Sequence, residues 1–245
     1  MLAHHYLAAI ELLRAAGRDV DALAPRACAA LCEAGDRGWA LSALEASARA
    51  YREALALMPH DHPERPGLLL RLGRGLFNWR GEGGPELREA AAALLAAGDV
   101  EGAGEAESLL GLVSWMSGAQ AEARAHLDRA VELVGDLAPT RTTVAIRAGR
   151  WRVLVLAEEH PSLEEGEELL ALAESVGTTA DVLNARINLG TGRLHAGDDR
   201  GLGDLEAALE QALQANSHVA ARAYVNLASH LGSAGDLRHS AELHR

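Results

Sequence analysis

Apolar residues recur along this chain at the three- and four-residue spacing of an α-helix, and short polar turns interrupt them. After one turn the apolar positions are Ala123, Leu127 and Ala130. After a later turn they are Leu205 and Leu209. β-branched residues are sparse and no alternating run of useful length is present, so strands are not expected. The pattern predicts an all-α protein.

Four of the predicted helices share a central dipeptide of leucine followed by a small residue: Leu72-Gly73, Leu110-Gly111, Leu189-Gly190 and Leu227-Ala228. Successive copies are 38, 79 and 38 residues apart, which predicts a degenerate copy in the long interval, at Val153-Leu154. A small residue there lets the second helix of the same pair cross closely. A turn follows each copy after seven or eight residues: Arg80-Gly81, Gly118, His160-Pro161, Gly197-Asp198 and Gly235-Asp236.

These intervals predict one array of helix-turn-helix pairs over residues 1–245. The expected segments are a leading helix at 1–17, pairs at 19–59, 64–97, 99–135, 139–176 and 179–215, and a last pair at 217–245. Within the first pair, helices are expected at 19–34 and 37–57, which leaves a turn at Gly35-Asp36. The final helix, 236–245, is expected to be truncated. Helices of about 15 residues are marginal alone, so the pairs must stack.

Composition narrows the function. Aromatic residues make up 3% of the chain, which suits thin layers of helix packed on helix. The net charge of −12 disfavours direct binding to nucleic acid. All 23 basic residues are arginine, which excludes a Walker-A lysine and a lysine Schiff base. No apolar stretch is long enough to cross a membrane.

Few residues carry a signal for metal or redox chemistry. Cys28 and Cys32 lie one helical turn apart, a poor geometry for a disulfide, and we interpret them as small buried residues in a reducing cytoplasm. His60 and His62 flank an aspartate in a linker without further ligands. No nucleophile elbow, H-E-x-x-H motif or catalytic carboxylate pair is present. We therefore expect no catalytic residue, no metal site and no cofactor.

Two stretches resemble the tetratricopeptide repeat. In 105–133 the matching positions are Leu110, Gly111, Gly118, Ala123, Leu127, Ala130 and Val131. In 47–59 they are Ser47, Tyr51, Ala54, Leu55, Leu57 and Pro59. The resemblance implies a right-handed superhelix of helix pairs, an α-solenoid, in which the first helix of each pair lines a concave groove.

The whole chain also resembles the repeat region of large bacterial signalling regulators. The segments that carry this likeness include LAHHYLAA, ALLAAGDVEGAGEAE, INLGTGRLHAGD and AYVNLASHLGSAGDL. Such regulators place tetratricopeptide repeats after an ATPase module and include adenylate/guanylate-cyclase-like and LuxR-type proteins. The likeness implies that this chain is a segment of such a regulator, although it holds neither the ATPase motifs nor an output domain.

Projecting the tetratricopeptide geometry predicts a set of groove residues: Arg74, Phe77, Asn78, Glu105, Trp115, Trp151, Asn184, His195 and Arg222. Arginine and tryptophan are typical of binding hot spots. Other interpretations stay open, since Trp115 and Trp151 could fill gaps between helices and the arginines could be solvated or paired with acids. Asn188 and Asn226, which precede the dipeptide in two copies, are interpreted as hydrogen-bonding residues between repeats.

The leading hypothesis is a non-catalytic interaction and sensor module of a larger cytoplasmic bacterial regulator. It would hold a peptide, a partner domain or its own upstream ATPase domain in the groove. One alternative is recognition of a small molecule in that groove. Another is a free-standing scaffold that self-associates through its truncated ends. An enzyme would need a pocket that joins His195 to a carboxylate and a nucleophile.

Overall fold

The computed structural model describes residues 2–215, 217 and 219–233, and these form α-helices with no strand among them. In chain order the helices are α1 (Leu2–Ala15), α2 (Ala24–Ala40), α3 (Leu44–Leu57), α4 (Arg65–Arg80), α5 (Gly84–Ala96), α6 (Val100–Met116), α7 (Gln120–Val134), α8 (Arg141–Leu156), α9 (Leu163–Val176), α10 (Thr179–His195), α11 (Arg200–Gln214) and α12 (Val219–Ser233). The predicted all-α class is confirmed. The predicted turn at Gly235-Asp236 and the truncated helix 236–245 lie outside the described residues.

The chain divides into two compact units, Met1–Val134 and Gly135–Arg245, called unit 1 and unit 2 below. Unit 1 contains the pairs α2–α3, α4–α5 and α6–α7 behind the leading helix α1, and unit 2 contains α8–α9, α10–α11 and the first helix α12. First helices also contact each other, α4 with α6, and α10 with both α8 and α12. The single continuous array of about six pairs stays a prediction.

The central glycines act as the dipeptide pattern predicts. A Cβ at Gly111 of α6 would lie 2.5 Å from Cγ of Leu127, a core residue of α7. A Cβ at Gly73 of α4 would lie 2.6 Å from Cγ of Leu87 in α5. The pairs therefore cross at the glycine. The turn glycine Gly118 has a φ of 82°, the left-handed conformation that closes a helix without a steric penalty.

The predicted turn at Gly35-Asp36 is wrong. Helix α2 runs on to Ala40, and the turn to α3 lies at 41–43. Gly35 is inside the helix because α3 crosses there, so that a Cβ would lie 2.5 Å from Cδ1 of Tyr51. The Tyr51 hydroxyl donates to Oδ1 of Asp36 at 2.7 Å, which secures the crossing. Here a glycine that looks like a helix stop serves close packing instead.

The degenerate copy is also in a different register from the one predicted. Gly111 and Gly190 each lie five residues before the last residue of their helix, Met116 and His195. The residue five before Leu156, the end of α8, is Trp151 and not Leu154. In this pair a large side chain therefore stands where the other pairs have glycine.

Candidate functional site

The first helices of each unit carry the polar side chains that the groove prediction singled out. We call the side chains of α2, α4 and α6 that contact one another the first-helix face of unit 1. The corresponding side chains of α8, α10 and α12 form the first-helix face of unit 2. The two faces differ in charge. Unit 1 pairs Arg71 and Arg74 with carboxylates, whereas Arg222 of unit 2 has no carboxylate partner among the described residues.

In unit 1, Arg74 lies between neighbouring first helices. Its guanidinium carbon is 4.9 Å from the ring centroid of Trp39 in α2, and its Nη1 donates to Oε1 of Glu105 in α6 at 3.0 Å. One turn earlier, Arg71 pairs with Asp36 at 3.4 Å. The charge of Arg74 is thus matched within the protein, and of the open interpretations of Arg74 the paired one is confirmed.

The other predicted residues of unit 1 form fewer polar contacts between the first helices. The Asn78 amide donates to the carbonyl of Arg74 in its own helix, at 2.9 Å, and is exposed. Phe77 and Trp115 are half-buried. The prediction missed Trp39, because the wrongly placed turn at 35–36 removed it from the first helix. The signal for the longer helix is the pairing of Gly35 and Gly38 in α2 with Tyr51 and Ser47 in α3, which pack against these glycines.

In unit 2, side-chain amides join the first helices in a ladder. The buried Asn188 of α10 donates from Nδ2 to the carbonyl of Ala148 in α8 at 3.3 Å. Asn226 of α12 donates from Nδ2 to Oγ1 of Thr191 in α10 at 3.0 Å. Each bond satisfies a polar group that the helix packing would otherwise leave without a hydrogen-bond partner. The interpretation of these two asparagines as hydrogen-bonding residues between repeats is confirmed.

Arg222 of α12 completes the ladder. Its Nη1 donates to Oδ1 of Asn184 at 2.8 Å, and its Nη2 donates to Oδ1 of Asn188. Burial, together with the nearby positive charge of Arg152, lowers the pKa of Arg222 to about 9, so the guanidinium remains charged at neutral pH. Amide oxygens orient this charge but do not neutralise it. Among the described residues, no carboxylate forms an ion pair with Arg222 or Arg152.

Arg193, elsewhere in the same unit, differs from Arg222 because carboxylates neutralise its charge. Arg193 lies on the side of α10 that faces the second helices, and its two terminal nitrogens contact Asp204 at 2.5 Å and Glu167 at 2.6 Å. Those ion pairs tie α10 to α9 and α11. Arg222 likewise has two hydrogen-bond partners, but both are uncharged asparagines. Its positive charge is therefore left for an external group.

The remaining predicted residues of unit 2 have different environments. His195 is exposed at the end of α10, and its Nδ1 lies 3.2 Å from the carbonyl oxygen of Val155. Trp151 is 1% exposed and its indole N–H donates to the carbonyl of Ser162 at 3.2 Å, so it fills the core and faces no groove. Arg152, next along the chain, was missed because the register of the degenerate copy was misplaced.

The described residues bring no metal-binding group together: nowhere in 2–215, 217 and 219–233 do three His, Cys, Asp or Glu side chains meet in a way that could hold an ion. Of the helices that the structure describes, none has both the length and the apolar character that a membrane crossing needs. What the face of unit 2 offers is an oriented cation with amide groups on either side, which is chemistry for binding an anion.

Comparison with solved structures identifies the fold. The chain matches a Rap protein complexed with competence and sporulation factor, with a TM-score of 0.67, 14% identity, and coverage of 80% of this chain and 56% of that one. It matches a putative kinesin light chain of Podosopora anserina with nearly identical TPR-like repeats, at a TM-score of 0.57 and 14% identity over 76% of this chain and 95% of that one.

A third match is BtubC (BKLC) from P. vanneervenii, at a TM-score of 0.57 and 18% identity over 88% of this chain and 90% of that one. At these identities the likeness shows the fold alone, and the predicted tetratricopeptide-like α-solenoid is confirmed. The chain spans little more than half of the Rap protein, at 56%. No protein-family model and no curated protein sequence matches it.

Proposed function

We propose that this chain is a protein-interaction module whose unit 2 binds an acidic, extended segment of a protein partner on its first-helix face. The observation that carries the proposal is the guanidinium of Arg222, which is oriented by two asparagines, charged at neutral pH and without an acidic partner among the described residues. A protein that buries a cation in this way gains from an external carboxylate, because the pairing repays the cost of removing the charge from water.

An extended peptide suits the rest of the face. The Nδ2 of Asn184 and the Oδ1 of Asn226 form no hydrogen bond within the described part of the chain, so one donor and one acceptor remain beside the arginine. A peptide backbone presents N–H and C=O groups that fit such amides. The polar contacts therefore support a peptide carrying Asp or Glu more than a compact apolar ligand.

The wider setting in this proposal is a larger cytoplasmic bacterial regulator with an upstream ATPase module. It rests on the sequence resemblance to the repeat region of such regulators. The match to 56% of a Rap protein, whose structure holds competence and sporulation factor, supports a role in ligand-dependent regulation. The partner in this setting is a peptide, a separate domain or the ATPase domain itself, offering an acidic segment.

Fluorescence polarisation with two pools of labelled nine-residue peptides tests the binding site. One pool carries glutamate at the three central positions and the other carries arginine there, with all other positions random. The glutamate pool is expected to bind at least about tenfold more tightly, and Arg222→Gln is expected to remove that advantage. Arg200→Gln is the matched control, because it removes an equal charge from an exposed side chain of α11 paired with Asp198.

Equal binding of the two pools would contradict the proposal, and so would a glutamate preference that survives in Arg222→Gln. Loss of the preference in Arg200→Gln as well would show that only the overall charge matters. Circular dichroism of each variant separates lost binding from lost folding.

A further inference from the structure

Unit 1 contains a cavity of its own. It has a volume of about 650 Å³ and is bounded by the first half of α2, the end of α3 and the segment that leads from α3 to α4. Cavities of 300–1,000 Å³ are typical of sites for small organic molecules. The proposed binding of peptides involves Arg222 of unit 2 and does not use this cavity, so the cavity is considered as a separate binding site.

The floor of the cavity is apolar and rich in sulfur. Cys28 and Cys32 of α2 face Leu57 and Met58 at the end of α3. Burial raises the pKa of Cys28 and raises that of Cys32 to about 12, so both remain neutral thiols at neutral pH. Such a floor fits the apolar body of a ligand and offers neither a nucleophile nor a metal site.

The rim of the same cavity is acidic. Asp21, Glu33 and Glu64 line it and are exposed, and His62 lines it as well. No arginine is among the described residues that line it, although Arg37, one turn further along α2, forms an exposed ion pair with Glu33 at 3.6 Å. With an apolar floor and an acidic rim, a ligand can place an apolar part on the sulfur groups and a positive group among the acids. The charge and the shape together point to one class of ligand.

We propose that this cavity binds a small organic amine, with its apolar body on the thiols and thioether of the floor and its protonated nitrogen among Asp21, Glu33 and Glu64. An aliphatic or aryl-alkyl ammonium ion satisfies both parts of the site. A carboxylic acid with the same apolar body would meet three like charges, and a neutral alcohol would gain only from the floor. The cavity thus selects by charge and not only by size.

The methionines make the test specific. The chain has three, and Met58 lines the cavity, whereas Met116 lies at the end of α6 with its Cε near Gly81. The whole chain is labelled with ¹³C at the methionine methyl groups, and Met58→Leu assigns the signal. It is titrated with phenethylamine, and separately with 2-phenylethanol and phenylacetate, which carry the same ring on a neutral and a negative group.

Phenethylamine is expected to shift the Met58 signal in a saturable way and to leave Met116 unmoved, with affinity in the order amine, alcohol, carboxylate. The double variant Glu33→Gln, Glu64→Gln is expected to weaken the amine about fivefold and to leave the alcohol unchanged. Ala29→Trp, a change at an exposed position on α2 that lines the cavity, is expected to abolish both.

Four outcomes would overturn the proposal: equal affinity for the three compounds, equal shifts of Met58 and Met116, undiminished binding of the amine in Ala29→Trp, or the absence of any Met58 shift in a folded chain. Because the cavity belongs to unit 1 and Arg222 to unit 2, each site can fail without the other.

Discussion

The ring of Trp151 lies directly against Gly192 of α10, where a Cβ would overlap the ring carbon Cη2. The ring also meets Gly166 of α9, where a Cβ would lie 2.7 Å from Cζ2. In the pairs α2–α3, α4–α5 and α6–α7 the glycine is on the first helix and the large residue is on the second. The α8–α9 pair reverses this arrangement, with the large residue on the first helix and glycine on both neighbours, so packing is conserved while the residue pattern is exchanged.

Gly192→Ala is therefore expected to destabilise the chain by about 1–3 kcal/mol, because Trp151 is fully enclosed and cannot move away from the added methyl group. Urea unfolding measures the change. The control is Gly203→Ala in α11, where nothing lies within 4 Å of the new Cβ, and this variant should gain about 0.5–1 kcal/mol from helix propensity. Similar effects of the two substitutions would contradict the packing described for Trp151.

Gly35→Ala tests the position of α2. The new methyl group would meet the ring of the buried Tyr51 at 2.5 Å, so we expect a loss of about 1–3 kcal/mol in the free energy of unfolding. If residues 35–36 formed a turn, the same substitution would have little effect on packing. Gly67→Ala in α4, with no atom near the added methyl group, is the matched control and should not destabilise the chain.

These two positions show why part of the fold could be predicted from the sequence and part could not. Leu110-Gly111 and Leu189-Gly190 recur at a fixed distance from a turn, so their helices followed from local pattern. Gly35 has the same identity as a turn glycine, and only its partner Tyr51, which is distant in the sequence, distinguishes the two roles. Trp151 replaces a small residue whose compensation lies on two other helices, which no local window reveals.

The candidate site divides in the same way. Arg222 and Asn184 were predicted because a first helix can be recognised by its dipeptide, and residues one and two turns from it share a face. Their pairing, and the absence of a carboxylate beside them among the described residues, depends on the register between helices. Arg152 was missed for that reason, and Trp151 was assigned to the wrong surface by an error of three residues.

Asn188→Leu is expected to cost about 1–3 kcal/mol in the free energy of unfolding, although leucine has a similar volume. The carbonyl of Ala148 would lose its donor and Arg222 would lose one acceptor, in a region where the asparagine side chain is buried. Asn78→Leu removes an exposed amide that bonds only within its own helix, so it should change stability by less than about 0.5 kcal/mol. Equal losses would show that the ladder does not stabilise unit 2.

Asp181 predicts a dependence of stability on acid pH. Burial acts to raise the pKa of this carboxyl group, but hydrogen bonds from the side chain and backbone of Thr178, and then from Arg141, outweigh burial and hold the pKa below its usual 3.8. A group with a lowered folded pKa stabilises the fold above its unfolded pKa and loses that effect as pH falls through the folded value. The Tm difference between the native chain and Asp181→Asn should therefore shrink below about pH 4.

The control for that measurement is Asp136→Asn, which removes an exposed carboxylate in the loop before α8. Its Tm should follow the native chain at every pH. A constant Tm difference for Asp181→Asn down to pH 2 would mean that the capping contact of Thr178 does not depend on the charge of the carboxylate.

Arg222 predicts that binding of the acidic peptides is lost at alkaline pH. The free guanidinium has a pKa of about 9, and a bound carboxylate raises it, so the bound state holds its proton more tightly than the free state. Affinity should therefore be constant below about pH 8 and should fall as pH rises through 9, until the proton is lost in the complex as well. Polarisation titrations of the glutamate pool between pH 7 and pH 10.5, with circular dichroism at each pH, measure this. Arg200→Gln should follow the same curve, whereas Arg222→Gln should bind weakly at every pH. Unchanged affinity of the native chain at pH 10.5 would mean that the anion does not contact Arg222.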